Sequence, residues 1–151
     1  MEEDNGIDLS LVTTDGIRRL LSFLPLLSEP GAKHGDGPNF EPAGKNTVAY
    51  IPAMISETAE NFVQACEDEH FVQPFDWHAW SKRHQAELND AAFIASSDMT
   101  MIVKMLTTHI RANRFCDGHL LTMLNDGIIV QILKRLNQIN SEQSPPAYPG
   151  G

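Results

Sequence analysis

Long runs of apolar residues are missing from this 151-residue sequence. None approaches the ~18–20 residues that a membrane-spanning helix needs, so we predict no membrane association. A secretory signal is missing too, because residues 1–4 (MEED) are acidic where such a signal is basic, and no apolar stretch follows directly. Together the two absences predict a protein of the cytoplasm.

Cysteine is scarce, since Cys66 and Cys116 are the only two. In a reducing compartment, two cysteines are more often separate thiols than a bridge. Hydrophobic residues nevertheless make up 42% of the chain, and a chain of this length buries roughly two-thirds of the surface that its unfolded form exposes. We therefore predict one domain that folds without a disulfide, a metal or any other cofactor.

Positive charge is also scarce, and the net charge of −9 argues against direct binding to a nucleic-acid backbone. The stretch 104–135 is an exception, because it carries a net charge of +3 and leaves −12 for the remainder. Its bases and acids are Lys104, Arg111, Arg114, Lys134 and Arg135 against Asp117 and Asp126. An anionic ligand would find a partner in this stretch.

Apolar residues recur mostly at helical spacing. The alternation of strands and helices that a doubly wound sheet requires is missing, so we do not expect such a sheet. We predict a mainly α, compact single-domain bundle of five to seven helices, with at most one short strand pair. The predicted organisation is an acidic flexible N-terminus over 1–12, a helical domain over 13–140 and a disordered Pro/Gly-rich tail over 141–151.

The first third of the chain contains the residues that most strongly interrupt helical structure. Thr14 or Asp15 is expected to cap a first helix, and Pro25 to end or kink it. Residues 28–47 hold four of the ten glycines and three of the nine prolines, which predicts a mobile surface loop or a lid. Residues 47–51 read as one short strand, for which the sequence indicates no partner.

Later helices have clearer boundaries. Gly127 is suited to the left-handed position that follows a helix, and a short helix is expected over 91–95. An aromatic pair at helical spacing, Trp77 and Trp80, is predicted to pack in the core, with a stacking site as the alternative. Side-chain oxygens that would cap helices are expected at Ser56, Asp76, Ser96 or Ser97, and Asp117.

The stretch 109–120 (HIRANRFCDGHL) is the best candidate for function, because it gathers two Arg, two His, one Cys and one Asp where two helices are expected to meet. Arg111 and Arg114 are one helical turn apart and could face one ligand. The planar guanidinium of arginine donates two parallel hydrogen bonds to a carboxylate or phosphate. This pattern predicts an anion site.

Three further residues support that prediction. The start of the second helix offers unpaired N–H groups and a positive dipole end, and Gly118 would let a ligand approach the backbone there. His109 or His119 could move a proton near neutral pH. The same pattern has a purely structural interpretation, in which the arginines pair with acids and His109 is a hydrogen-bonded core residue.

The run 107–120 (TTHIRANRFCDGHL), followed by Gly127 and an ILKRL helix, resembles a family of small bacterial proteins classed as a domain of unknown function. Residues 74–77 (PFDW) and the opening helix that ends in Leu-Pro are similar to that family too. The resemblance covers most of the chain except the acidic start and the Pro-rich tail, and it implies no activity. It implies that eight residues belong together: Asp76, Trp77, His109, Arg111, Arg114, Phe115, Gly118 and His119.

The leading hypothesis is a binding or regulatory module that recognises an anionic small molecule or an acidic partner surface. Its site would comprise His109, Arg111, Arg114, Gly118, His119, Asp76 and Trp77. One alternative is a hydrolase or nucleotide-processing enzyme that uses His109 or His119 as acid or base. Another is an acidic protein-interaction or inhibitor protein.

Other interpretations of these residues are weaker. Cys116, His119 and His109 would give zinc only three ligands, and no fourth is visible, so we predict no metal site. Nothing around Cys116 matches a nucleophilic cysteine, and Phe115 is expected in the core. The acidic net charge opposes a helix-turn-helix reading of 117–139, and the Pro-rich residues 145–148 match a docking pattern only weakly.

Overall fold

The computed structural model describes residues 6–143, and the predicted mainly α, compact fold is confirmed. A short 3-10 turn over Leu9–Leu11 precedes the first α-helix. The α-helices span Thr14–Leu21 (α1), Leu24–Ser28 (α2), Glu57–Asp68 (α3), Trp77–Arg83 (α4), Ala91–Ala95 (α5), Met99–Ala112 (α6), His119–Asn125 (α7) and Ile128–Gln143 (α8).

Two small antiparallel sheets lie between α2 and α3, where one strand pair was predicted at most. The strands span Gly35–Asp36 (β1), Asn39–Gly44 (β2), Thr47–Ile51 (β3) and Met54–Ile55 (β4); β1 pairs with β4 and β2 with β3. The predicted strand over 47–51 is therefore confirmed, and its partner lies inside 28–47. The prediction of a loop over 28–47 was wrong for residues 35–36 and 39–44, which form strands. These strands were missed because β2 is exposed at every residue and shows no alternation of apolar and polar residues.

The break after the first helix comes earlier than predicted. Helix α1 ends at Leu21, four residues before Pro25. Pro25 instead occupies the first turn of α2, which starts at Leu24. Proline is tolerated there because the N–H groups of a first turn have no partner within the helix.

The caps are partly as predicted. Ser56 and Asp76 accept hydrogen bonds from the backbone N–H groups of the first turns of α3 and α4, as expected. Helix α6 is capped by Asp98, which wins over the predicted Ser96 or Ser97, and α1 by Thr13, which wins over Thr14 or Asp15. The predicted cap at Asp117 was wrong, because Gly118, which has no side chain, holds the N-cap position of α7, and Asp117 accepts from Tyr50 and Ala53 instead. Gly127 has a φ of +80°, as predicted for a left-handed position.

Helix α6 runs through the centre of the core. Every residue from Ile102 to Ile110 is buried, including four polar ones: Lys104, Thr107, Thr108 and His109. Trp80 is buried as predicted, whereas the same prediction for Trp77 was wrong, since it is only half-buried. A central helix whose last turn includes polar groups is what positions the site described below.

Described residues of both predicted terminal segments, 1–12 and 141–151, take part in the fold. Within the predicted flexible segment 1–12, the Asp8 N–H donates to Gln73 Oε1 at 2.7 Å, and Gln73 Nε2 donates to the Asp8 carbonyl at 3.0 Å. Helix α8 continues to Gln143, three residues beyond the predicted domain boundary. The remainder of the predicted tail, with the Pro-rich residues 145–148, lies outside the described residues.

Candidate functional site

Two histidines that are ten residues apart in sequence are in direct contact. His109 lies in the last turns of α6, and His119 is the first residue of α7. His109 Nδ1 and His119 Nε2 are 3.0 Å apart, and the two rings are stacked with centroids 5.2 Å apart. The structure therefore brings together two of the histidines that the sequence singled out.

The connection between α6 and α7 holds this pair in place. Asn113 Oδ1 accepts a hydrogen bond from the backbone N–H of Leu120 at 3.0 Å, which ties the end of α6 to the start of α7. Gly118 has a φ of +85°, a conformation that side chains disfavour, and a Cβ there would lie 3.3 Å from Pro38 Cδ. Gly118 therefore shapes the turn, and the helix start predicted to bind an anion is already occupied by Asn113.

A cleft of about 370 Å³ opens beside the histidine pair, between α4, α6 and α7. We call the more exposed, polar part of its lining the mouth, which comprises Ser81, Lys82, Gln85 and Asn89. Its apolar walls are Leu88, Ala112 and Met123. We call the polar part around the buried Thr108 and His109, with the half-buried His119, the inner end. Among the described residues no carboxylate lines the cleft, although the whole chain is acidic.

Two buried polar atoms, on residues that line this cleft, have no hydrogen-bond partner among residues 6–143. They are Thr108 Oγ1 and His109 Nε2, on side chains that belong to residues only 3% and 2% exposed. A buried polar group without a partner costs ~1–3 kcal/mol, and most such groups in proteins are satisfied by protein, water or a ligand. The only other such atom in the described part of the chain is Trp80 Nε1.

Both histidines are neutral at pH 7. Burial, reinforced by the neighbouring His119, lowers the pKa of His109 to about 3, and burial also lowers the pKa of His119. In a neutral pair, one ring nitrogen of the 3.0 Å contact carries the proton and the other accepts it. His109 Nε2 is consequently an acceptor when Nδ1 donates to His119, and a donor when it does not.

The two arginines do not line the cleft. Arg111 is half-buried and Arg114 is exposed, and neither side chain has a hydrogen bond or ion pair within the described ranges. The structural interpretation, in which they pair with acids, is therefore wrong for this part of the chain. The acids in question have other partners: Asp76 accepts from Ala79 N, Asp117 from Tyr50 and Ala53, and Glu87 contacts His84.

A second, aromatic groove of about 370 Å³ is lined by Trp77, His78 and Phe115. The rings of Trp77 and Phe115 have centroids 5.9 Å apart. Phe115 is 80% exposed, so its predicted place in the core was wrong. The reason is that it follows α6 in an irregular turn, where helical spacing no longer decides which side chains face inward.

Much of the cleft could not have been identified from the motif 109–120. Lys82, Gln85 and Asn89 come from α4 and the turns after it, where exposed polar residues look like ordinary surface. Thr108 gave no signal either, because helical spacing places it opposite the apolar face of α6 that Ile102, Leu106 and Ile110 form, and yet the structure buries it. The alternatives that involve Cys116 receive no structural support, since this exposed thiol does not line the cleft.

Neither a metal cluster nor a membrane helix is found where the structure describes the chain. Between residues 6 and 143, no three His, Cys, Asp or Glu side chains are grouped so as to hold a metal ion. Over the same residues, no helix has both the length and the apolar character needed to cross a membrane.

The described residues form a mainly α fold with a cleft that is lined by two histidines. The chain belongs to the family of unknown function DUF6508, whose sequence model matches residues 12–142. The resemblance to a family without an assigned activity is thereby confirmed. No curated protein and no solved structure matches the chain.

Proposed function

We propose that this protein is a binding module that holds a small anionic ligand in the cleft between α4, α6 and α7. The observation that carries the proposal is the pair of unpartnered atoms, Thr108 Oγ1 and His109 Nε2, at the inner end of that cleft. A ligand that satisfied both would offset the cost of burying them. Sites of this kind combine apolar walls with a few polar groups that fix orientation.

The charges around the cleft favour an anion. Lys82 is exposed at the mouth, and no carboxylate within residues 6–143 lines the cleft. Arg111 lies one helical turn from Thr108 and has no acidic partner among the described residues. Arginine suits phosphate and carboxylate groups because of its planar donors. A negative group on the ligand would therefore be attracted to the mouth rather than repelled.

The test is to fill the cleft. Ala112→Leu adds three carbons to a wall of the cleft, and Ala95→Leu adds the same atoms at an exposed position of α5. Thermal unfolding is followed with inorganic phosphate, pyrophosphate, nucleotides and simple carboxylates. A ligand at a hundred times its Kd stabilises a protein by ~2.7 kcal/mol. We expect a stabilising ligand that acts on the wild type and on Ala95→Leu but not on Ala112→Leu, and equal action on all three would refute the proposal.

The basic residues near the cleft are tested separately. If neither Lys82→Gln, at the mouth, nor Arg111→Gln, one turn from Thr108, weakens the binding of any ligand, the anionic part of the proposal fails. Strong salt dependence of a protein complex combined with indifference to both exchanges would instead favour an acidic interaction or inhibitor protein. Cys66 and Cys116, both free thiols, suit a reducing compartment such as the cytoplasm, where we place the function.

An acid–base enzyme, such as a hydrolase or a nucleotide-processing enzyme, is the second candidate. It is favoured by the 3.0 Å contact between two neutral imidazoles inside a cleft. It is weakened by the low pKa of His109, since a useful base has a pKa near the working pH. The nearby Ser81 hydroxyl donates to the His78 carbonyl and is not activated by a histidine. This candidate predicts turnover that His119→Gln abolishes while binding persists.

A further inference from the structure

The inner end of the cleft is uncharged, whereas its mouth is not. Thr108 and His109 are consecutive residues of α6, and both are nearly inaccessible to solvent. Lys82, the only cation that the described part of the chain contributes to the lining, is exposed. Burying an ion beside neutral groups costs far more than burying an uncharged group that makes hydrogen bonds. A charged group of a ligand is thus disfavoured at the inner end and favoured at the mouth.

Resting on the binding function proposed above, we propose that the ligand places an uncharged amide-like edge, with one N–H and one C=O, against Thr108 and His109. Its negative charge lies at the opposite end, beside Lys82. The chemical class is therefore a flat carboxamide or heteroaromatic lactam that carries a carboxylate or phosphate.

The hydrogen-bonding capacity of the inner end matches such an edge. The Thr108 hydroxyl can donate and accept, and it has no partner among residues 6–143. His109 Nε2 donates to a ligand C=O when His119 Nε2 donates to His109 Nδ1. It accepts from a ligand N–H when His109 Nδ1 donates instead. Each imidazole keeps one proton in both arrangements, so the pair adapts to either orientation of the edge without gaining charge.

The apolar walls fit the body of the same ligand. Leu88 and Met123 are buried side chains that line the cleft. A thioether makes favourable contacts with aromatic rings, and Met side chains adapt to irregular shapes. A flat ring between these walls would connect the amide edge to the charged group at the mouth.

The experiment uses three matched probes with the full chain. Benzamide offers the edge alone, benzoate the charge alone, and 4-carbamoylbenzoate offers both at opposite ends of one ring. Affinities are measured by NMR titration of the 15N-labelled protein. We expect 4-carbamoylbenzoate to bind most tightly. We expect benzoate to bind about tenfold more weakly than benzamide, the loss that one unmade buried hydrogen bond of ~1.4 kcal/mol produces.

Two variants assign each end of the probe. Thr108→Val removes the hydroxyl at nearly constant shape and should weaken benzamide and 4-carbamoylbenzoate about tenfold, for the same reason. Lys82→Gln should remove only the higher affinity that 4-carbamoylbenzoate has over benzamide. Lys134 is an exposed lysine on α8, and Lys134→Gln serves as the control.

The outcomes separate this inference from the proposed function. Benzoate binding as tightly as benzamide, or no effect of Thr108→Val, overturns the amide edge. If Ala112→Leu nevertheless blocks the probes, the cleft stands as the binding site and the proposed function is kept. No binding of any probe also overturns the inference, and the anion series above then decides the function. Probe binding that Ala112→Leu leaves intact refutes both.

Discussion

The Tyr50 hydroxyl donates a hydrogen bond to the carboxylate of Asp117, and so joins β3 to the turn between α6 and α7. The same carboxylate accepts from the backbone N–H of Ala53 at 3.1 Å. Asp117 is two residues before His119, so this contact links the exposed β2–β3 hairpin to the turn that positions the histidine pair.

The first prediction tests this link. The Tyr50 hydroxyl is the largest cause that holds the pKa of Asp117 below its usual value. Tyr50→Phe should raise the pKa of Asp117 and speed hydrogen exchange at the Ala53 amide. Both are read by NMR, with Phe40→Leu as a control that alters the exposed partner of Tyr50 but keeps the hydroxyl. An unchanged pKa of Asp117 in Tyr50→Phe would contradict the link.

The second prediction concerns pH. The pKa of His109 is about 3 in the folded state and near 6.5 in the unfolded chain, so below pH 6.5 the unfolded state binds the extra proton. Stability is therefore complete above pH 6.5 and declines as the pH falls toward 3, by about 1.4 kcal/mol per unit for one proton. The charged or titratable groups that share the cleft with His109 are His119 on α7, which acts in the same direction, and Lys82 on α4.

Urea denaturation at pH 7 and pH 5 measures this effect. The wild type should lose about 2 kcal/mol between the two pH values through His109 alone. In His109→Gln the loss should be smaller by that amount, whatever the absolute stability of the variant. His78→Gln, at an exposed position, should behave as the wild type does. Equal losses in all three proteins would show that His109 is not held neutral by the fold.

The third prediction compares two neighbouring threonines on α6. Thr108 Oγ1 has no partner in the described structure, whereas Thr107 Oγ1 accepts from the Gln73 N–H at 3.0 Å and donates to the Phe71 carbonyl at 3.3 Å. Thr108→Val should raise the free energy of unfolding by ~1–3 kcal/mol, and Thr107→Val should lower it by a similar amount. Chemical denaturation of the ligand-free variants decides this, and two changes of the same sign would count against an unsatisfied hydroxyl in the cleft.

The fourth prediction tests the exposure of Phe115. Because this ring is 80% exposed, Phe115→Ala should change the free energy of unfolding by no more than about 0.5 kcal/mol. Phe62, fully buried in the core, provides the comparison, and Phe62→Ala should cost about 3–5 kcal/mol. Thermal or urea unfolding gives both values. A large loss in Phe115→Ala would restore the original expectation that the ring packs in the core.

Local sequence signals predicted those parts of the fold that local physics determines. The helix over 91–95, the cap at Ser56 and the strand over 47–51 follow from short-range spacing and capping, and all three are confirmed. Strand β2 was missed because its exposed sequence, NFEPAG, is rich in turn-forming residues and has no buried face. Its pairing with β3 is a tertiary outcome that composition does not reveal.

The site shows the same division. His109 and His119 were singled out by residue type, and the structure places them in contact. Their cleft depends on α4, whose contribution, Lys82 above all, has no distinguishing pattern in the sequence. Arg111 and Arg114 share the motif but do not line the cleft. Arg114 follows α6 in a turn, where helical spacing stops predicting direction, whereas Arg111 still lies within the helix.

The unsatisfied hydroxyl of Thr108 also creates a conflict between thermal stability and ligand binding. Many stabilising substitutions leave function intact, but where a binding group is buried without a partner, stability and binding favour different residues. A library of variants selected only for survival at high temperature should therefore accumulate valine at position 108. The same library selected for ligand retention should keep threonine, so the residue that each selection favours would reveal what this cleft is for.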